Sequence, residues 1–145
     1  MPEPSSMDFL LAQVSRLHHH RAHGLLEGLG IYRGQPPVLF ALQEQDGLTH
    51  GELAERLGIT PATTTRMIQR MEKAGFVKRQ PDAADQRVSR VYLTRAGRAV
   101  HSKLEAVFQQ MEAEDFRGFS KEEQVILRGF LLRLRENLEQ AIQGK

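Results

Sequence analysis

The sequence predicts a mainly α chain with a small β component (α+β), on three observations. A run from Thr49 to Ala74 carries the start and stop signals of two short helices joined by a tight turn. Two short β-type runs, Phe76 to Arg79 and Ser89 to Thr94, follow it directly. Both ends of the chain carry long stretches whose apolar residues recur every three or four positions.

Thr49 with Glu52 reads as a capping box, in which a Thr hydroxyl and a Glu carboxylate satisfy reciprocal backbone N–H groups at a helix start. Gly58 stops that helix, because a C-terminal residue with positive φ costs little only for glycine. Thr60 then serves as the next N-cap and Pro61 as the first helical residue, where a missing N–H is harmless. This is the helix-turn-helix pattern, whose second helix enters the DNA major groove. At about 100° per residue, Thr64, Met67, Ile68 and Met71 share the packing side of that helix. Ala62, Thr65, Arg66, Gln69 and Lys73 share the other. The outer set offers Arg for guanine, Gln for adenine, Thr and Ala for thymine methyls, and Lys for phosphate. A solvated amphipathic helix has the same periodicity, so the discriminating signal lies downstream.

There, Val91 and Leu93 alternate with Arg90 and Tyr92, and the connection Gln80 to Val88 is rich in turn residues and carries Arg87. A helix-turn-helix followed by a β-hairpin is a winged helix-turn-helix. Between Thr60 and Arg95 eight basic residues face three acidic ones, a local +5 in a chain whose net charge is +2. Positive charge is therefore concentrated on this region, as phosphate neutralisation requires.

The run from Gly47 to Arg98 resembles the winged-helix core of the MarR family of bacterial transcription regulators. Its most specific piece is Asp85-x-Arg87 followed by Val91-x-Leu93-Thr94-x-x-Gly97. The resemblance implies that Arg87 enters the minor groove, that Asp85 stabilises the wing, and that Thr63, Thr65 and Arg66 meet the major groove. Thr64 departs from the family pattern, which usually has an aliphatic residue there, and is expected to soften the packing beneath the recognition helix. The expected DNA-facing set is Pro61, Ala62, Thr63, Thr65, Arg66, Gln69, Arg70 and Lys73 on the helix, with Arg87 and Arg90 in the wing.

Elsewhere, Ser6 is placed to cap a long first helix starting near Met7 that carries Phe9, Leu10, Val14, Leu17, Leu25 and Leu26. The cluster His18-His19-His20-Arg21-Ala22-His23 interrupts its apolar pattern, and Gly24, Gly28 and Gly30 weaken its far end. His19 or His20 with His23 has a spacing that can chelate a metal, but no cysteine and few carboxylates complete a set. A solvated or interface histidine face is the expectation, with a pH-sensitive packing site as the alternative, and no metal or cofactor is expected. Tyr32 to Pro37 reads as a loop into a helix from Pro36 to Gln45, closed by the turn Asp46-Gly47. After the wing, Thr94 caps a helix bearing Val100, Leu104, Val107, Phe108 and Met111. Gly118-Phe119 breaks it, and Ser120 with Glu123 forms a capping box for a last helix. There Leu127, Leu131, Leu134 and Leu138 form a stripe, widened by Phe130 and Ile142.

That stripe fits both packing against the first helix and pairing with a second copy, and both are expected. The resemblance implies a homodimer built from the first and the last two helices, with Phe9, Leu10, Leu127, Leu131, Leu134 and Leu138 in the dimerisation set. The expected division is residues 1–35 for an N-terminal dimerisation helix, 36–95 for the winged helix-turn-helix domain, and 96–145 for C-terminal dimerisation helices. By the same analogy a small-molecule effector is expected near His18, Tyr32 and Arg33. A two-fold dimer demands a palindromic duplex site.

The absence of cysteine excludes disulfides and a thiol redox switch within this chain. No apolar run reaches the roughly 20 residues of a membrane span, and the start MPEPSSMDF lacks a basic, apolar leader, so a cytoplasmic location is expected. No nucleophile elbow, HExxH or glycine-rich phosphate loop is present, which argues against an enzyme. The function expected is a sequence-specific, ligand-responsive repressor binding double-stranded DNA. The rival is a winged helix that binds protein, which need not hold the local positive charge.

Overall fold

Side-chain caps set most of the helix starts. The computed structural model describes residues 3–32 and 34–144. Among them the element order is α1 (Met7–Glu27), α2 (Gln35–Glu44), β1 (Leu48–Thr49), α3 (His50–Leu57), α4 (Pro61–Lys73), β2 (Val77–Pro81), β3 (Ser89–Leu93), α5 (Arg95–Asp115) and α6 (Lys121–Gln143). Ser6 caps α1 by accepting the Phe9 N–H, and Thr60 caps α4 by accepting the Thr63 N–H. Gly58 ends α3 at φ 66°, in the left-handed region. Helix α1 runs unbroken through the histidine cluster and Gly24 to Glu27. Helix α2 begins one residue before the expected Pro36, because Gly34 is its N-cap and Gln35 its first residue.

Two expectations needed revision. Thr49 and Glu52 make only half of a capping box: the Thr49 hydroxyl accepts the Glu52 N–H and donates to the Glu52 carboxylate, each at 3.1 Å. Thr49 is at the same time a strand residue, paired with Arg90. Residues Leu48 and Thr49 thus form a third strand, β1, and the antiparallel sheet has the order β1-β3-β2. The full reciprocal box occurs at Ser120 and Glu123, as expected.

The chain divides after Phe108 into two compact units. In the first, Val38, Leu39, Leu42, Leu53, Ile68, Met71, Val77, Val91, Leu93 and Leu104 build one buried core, joined at its edge by Leu26, Leu29 and Met67. Strand β3 contributes Val91 and Leu93 to it, the alternation expected of a half-buried strand. Truncating a fully buried leucine such as Leu53 to alanine costs about 2–5 kcal/mol at such sites. The second unit comprises the end of α5, a turn at Gly118 (φ 83°) and α6. Its Phe116 and Phe119 rings stack edge to face at 5.9 Å. Among the described residues no helix is long and apolar enough to cross a membrane.

Candidate nucleic-acid interface

Helix α4 is fixed from below and open above. Thr64, Ile68 and Met71 are buried and Met67 is half-buried, whereas Ala62, Arg66, Gln69, Arg70 and Lys73 are exposed. Pro61 is also exposed at the helix start. The three consecutive threonines part company. The Thr63 hydroxyl meets the Thr60 hydroxyl at 2.9 Å, and that of Thr64 donates to the Thr60 carbonyl at 3.0 Å. The Thr65 hydroxyl lies 3.3 Å from His50 Nδ1 on α3. The outer row expected from helical periodicity includes Thr65, but the structure makes it a half-buried flank residue leaning toward α3.

The wing is organised by a residue that sequence reasoning passed over. Asp82 Oδ2 accepts the N–H groups of Ala84 and Asp85, both at 3.0 Å, while Oδ1 takes the Arg90 guanidinium. These bonds, led by the Arg90 contact, hold the Asp82 carboxyl below its usual range. The clue available was the Pro81-Asp82 pair, since an Asp after Pro at a turn tends to bond its own backbone two residues on. Asp85 plays the narrower part of holding Arg87: it accepts the Arg87 N–H and Nε at 3.1 Å and Nη2 at 3.2 Å. The Arg87 side chain is 92% exposed, so this pair sits in water at the wing tip.

Arg90 is expected at the DNA, and the structure turns it into the fold instead. Besides Asp82, its Nη1 donates to the Gly47 carbonyl at 2.8 Å and lies 3.6 Å from the Glu52 carboxylate. It braces the wing against the start of α3, with few donors left for a partner. Arg79 is likewise engaged, its Nε within 3.1 and 3.2 Å of the two Glu72 carboxylate oxygens. Each of the three acidic residues in the segment thus neutralises one arginine. Among the described residues, the local +5 resides on Arg66, Arg70, Lys73, Lys78 and Arg95, which form no ion pair.

Of the expected effector residues, Tyr32 lines a groove of about 310 Å³ with Gln35, Thr63, Arg66, Met67 and Arg70. His18 lies on exposed α1 outside that lining, and Arg33 falls outside the described residues. In the dimerisation set, Phe9, Leu127 and Leu134 are half-buried, while Leu10, Leu131 and Leu138 are 54%, 47% and 51% exposed.

A model of the MarR family matches residues 31–89, from just before α2 to the first residue of β3. The uncharacterized HTH-type transcriptional regulator YsmB of Bacillus subtilis (strain 168) is 32% identical over 116 residues, covering 78% of this chain and 80% of that protein. The chain belongs to the MarR family. MarR-family proteins are transcription regulators and not enzymes, and the winged helix-turn-helix fold is theirs. The S. aureus MepR–DNA complex superposes with a TM-score of 0.79 at 25% identity, covering 91% of this chain and 98% of that one. The transcriptional regulator SlyA superposes with a TM-score of 0.78 at 26% identity, covering 94% and 96%. The departure from the MarR pattern at Thr64 now has a structural account. Its hydroxyl is fully buried but satisfied by the carbonyl of Thr60, so no polar atom is stranded under α4.

Proposed function

We propose that this MarR-family regulator is a homodimeric, ligand-responsive repressor that binds a palindromic double-stranded DNA operator in the cytoplasm. The observation carrying this reading is the exposed row Arg66, Gln69, Arg70 and Lys73 on α4, unpaired among the described residues, next to a wing whose tip presents Arg87. In this reading the start of α4, from Pro61 to Arg66, meets base edges in the major groove, and Gln69, Arg70 and Lys73 reach bases and phosphates. Arg87 lies along the adjoining minor groove, leaving Asp85 as it does so, because a helix already fills the major groove. Arg90 and Asp82 act one step back, by holding the wing at its angle.

The half-exposed leucines of α6 and the apolar residues at the start of α1 support pairing with a second copy. Residues 1–35 and 96–145 then form the dimerisation region and residues 36–95 the DNA-binding domain. An effector bound near Tyr32 changes the separation of the two α4 helices and lowers operator affinity. Selection of bound sequences from random duplex DNA tests the proposal. The expected outcome is an inverted repeat with half-sites about one helical turn apart, bound with a log–log salt slope of about −4 or steeper. Recovery of no motif, with affinity insensitive to salt, would instead favour a protein-binding winged helix.

A further inference from the structure

His50 is the first residue of α3 and makes a polar contact across the helix-turn-helix, 3.3 Å from the Thr65 hydroxyl. Its other ring nitrogen, Nε2, is buried and has no hydrogen-bond partner among the described residues. A stranded buried polar atom is a standing cost that an apolar residue at the same place would remove. The hydrogen bond that the ring does make among the described residues is the one to Thr65. Burial, with the Arg79 charge nearby, pushes the imidazole below its ordinary pKa, while Glu72 opposes the shift, so the ring is neutral at neutral pH.

A helical threonine divides between two χ1 rotamers, because its hydroxyl can turn back to a carbonyl of the preceding turn. Thr64 does turn back, onto Thr60. Thr65 does not: its hydroxyl is directed to His50, a contact that favours one orientation of the hydroxyl and with it one placement of the methyl group. Each tautomer of the neutral ring sets its own direction for the hydroxyl hydrogen. If Nδ1 carries the lone pair, the Thr65 hydroxyl donates to it and its own lone pairs face outward; if Nδ1 carries the proton, the hydroxyl is left free to donate.

We infer that His50 is a positioning residue for base recognition, setting the rotamer and hydrogen-bond sense of Thr65 at the edge of the recognition helix while touching no DNA itself. This rests on the reading of α4 as the base-reading helix, and the experiment separates the two. Duplexes selected by the wild-type protein from random DNA are measured, with a full set of single base-pair changes, against Thr65→Ala, His50→Leu, the double variant and His50→Asn. Asparagine places a polar atom where Nδ1 stands and has nothing at Nε2.

The expected result is that Thr65→Ala and His50→Leu each reduce discrimination at the same base pair by about 3- to 10-fold, the worth of one hydrogen bond. The double variant should be no worse than either single one, and His50→Asn should restore discrimination. Both His50 variants should melt no lower than wild type, since each removes the stranded atom. A purely structural role for His50 would lower the melting temperature without changing base preference. If Thr65→Ala alters preference and His50→Leu does not, the positioning role is wrong and the recognition helix stands. If Thr65→Ala alters preference nowhere, Thr65 reads no base and the positioning role falls with it, while Arg66→Ala on the same duplexes decides whether α4 reads bases at all.

Discussion

Gly97→Ala is the substitution on which the packing of α5 against the hairpin can be judged most sharply. Gly97 is a helical residue, and alanine in an ordinary exposed helix position would stabilise by about 0.5–1 kcal/mol. Here a Cβ would stand 2.0 Å from the Phe76 carbonyl oxygen, 3.0 Å from its carbon and 3.2 Å from Leu93 Cδ2. That oxygen has no freedom to retreat, because it accepts the Thr94 N–H at 3.0 Å. Thr94 is anchored in turn through its hydroxyl to the Gly75 carbonyl and caps α5 by accepting the Gly97 N–H. Relief requires the helix and the hairpin to separate by more than an ångström, which strains both the cap and the core contacts of Val100 and Leu104. Overpacking of this kind costs about 1–3 kcal/mol or more, and exceeds the propensity gain. At about 2–4 °C per kcal/mol for a chain of this size, the melting temperature should fall by roughly 2 °C or more. Gly51→Ala is the control: Gly51 is exposed in α3, its nearest neighbour is Thr49 Oγ1 at 4.0 Å, and its melting temperature should hold or rise. Thermal unfolding of the three proteins by circular dichroism reads the difference. A Gly97→Ala protein as stable as wild type would mean that α5 does not pack on Phe76 this closely.

Three further outcomes are expected. Arg66→Ala should shrink the affinity ratio between a selected duplex and its point-mutated form by about 1–3 kcal/mol, whereas Arg87→Ala should weaken all duplexes alike and reduce the salt slope by about one. Identical profiles from the two variants would break the division between major and minor groove. Leu131→Asp combined with Leu134→Asp should leave a monomer in sedimentation, since each leucine contributes on the order of 2 kcal/mol and each aspartate must be desolvated; a dimer persisting at micromolar concentration would place the stripe elsewhere. Stability should fall as pH drops below about 6.5, because the unfolded chain takes up a proton on His50 that the folded chain resists. It should fall again on passing below the ordinary carboxylate range, as Asp82 loses the charge that holds Arg90. Chemical denaturation across pH checks both, and His50→Leu should flatten the upper step only.

What the sequence made legible was what neighbouring residues decide among themselves. Thr60, Pro61 and Gly58 fix the helix-turn-helix through bonds and torsions spanning a few positions, and the buried face of α4 follows from its period. What it hid depends on residues far apart. Strand β1 is two residues long and exists only through its pairing with Val91 and Arg90, more than forty positions away. The same pairing gives Thr49 a second duty and leaves its capping box half made. Arg90 looks from its charge like a phosphate ligand, and only the return of the chain beside Gly47 and Asp82 shows where its guanidinium is used. Asp46 likewise reads as a turn residue, yet its carboxylate accepts the Leu93 N–H and meets Arg98 at 2.9 Å.

The clasp between Glu72 and Arg79 ties the last turn of α4 to strand β2, and so links the helix that reads bases in the proposed function directly to the wing. A link of that kind leaves a trace in the target. If the proposed function holds, the distance within one half-site from the base pairs met by the helix to the stretch met by the wing is constrained, and inserting a base pair between them should weaken half-site binding. In the proposed dimer the two half-sites are met by different copies, so operators recognised by one regulator should differ first in the length and sequence of the spacer between them. Competition between duplexes lengthened by one base pair at either place would show whether the tolerance lies on that side.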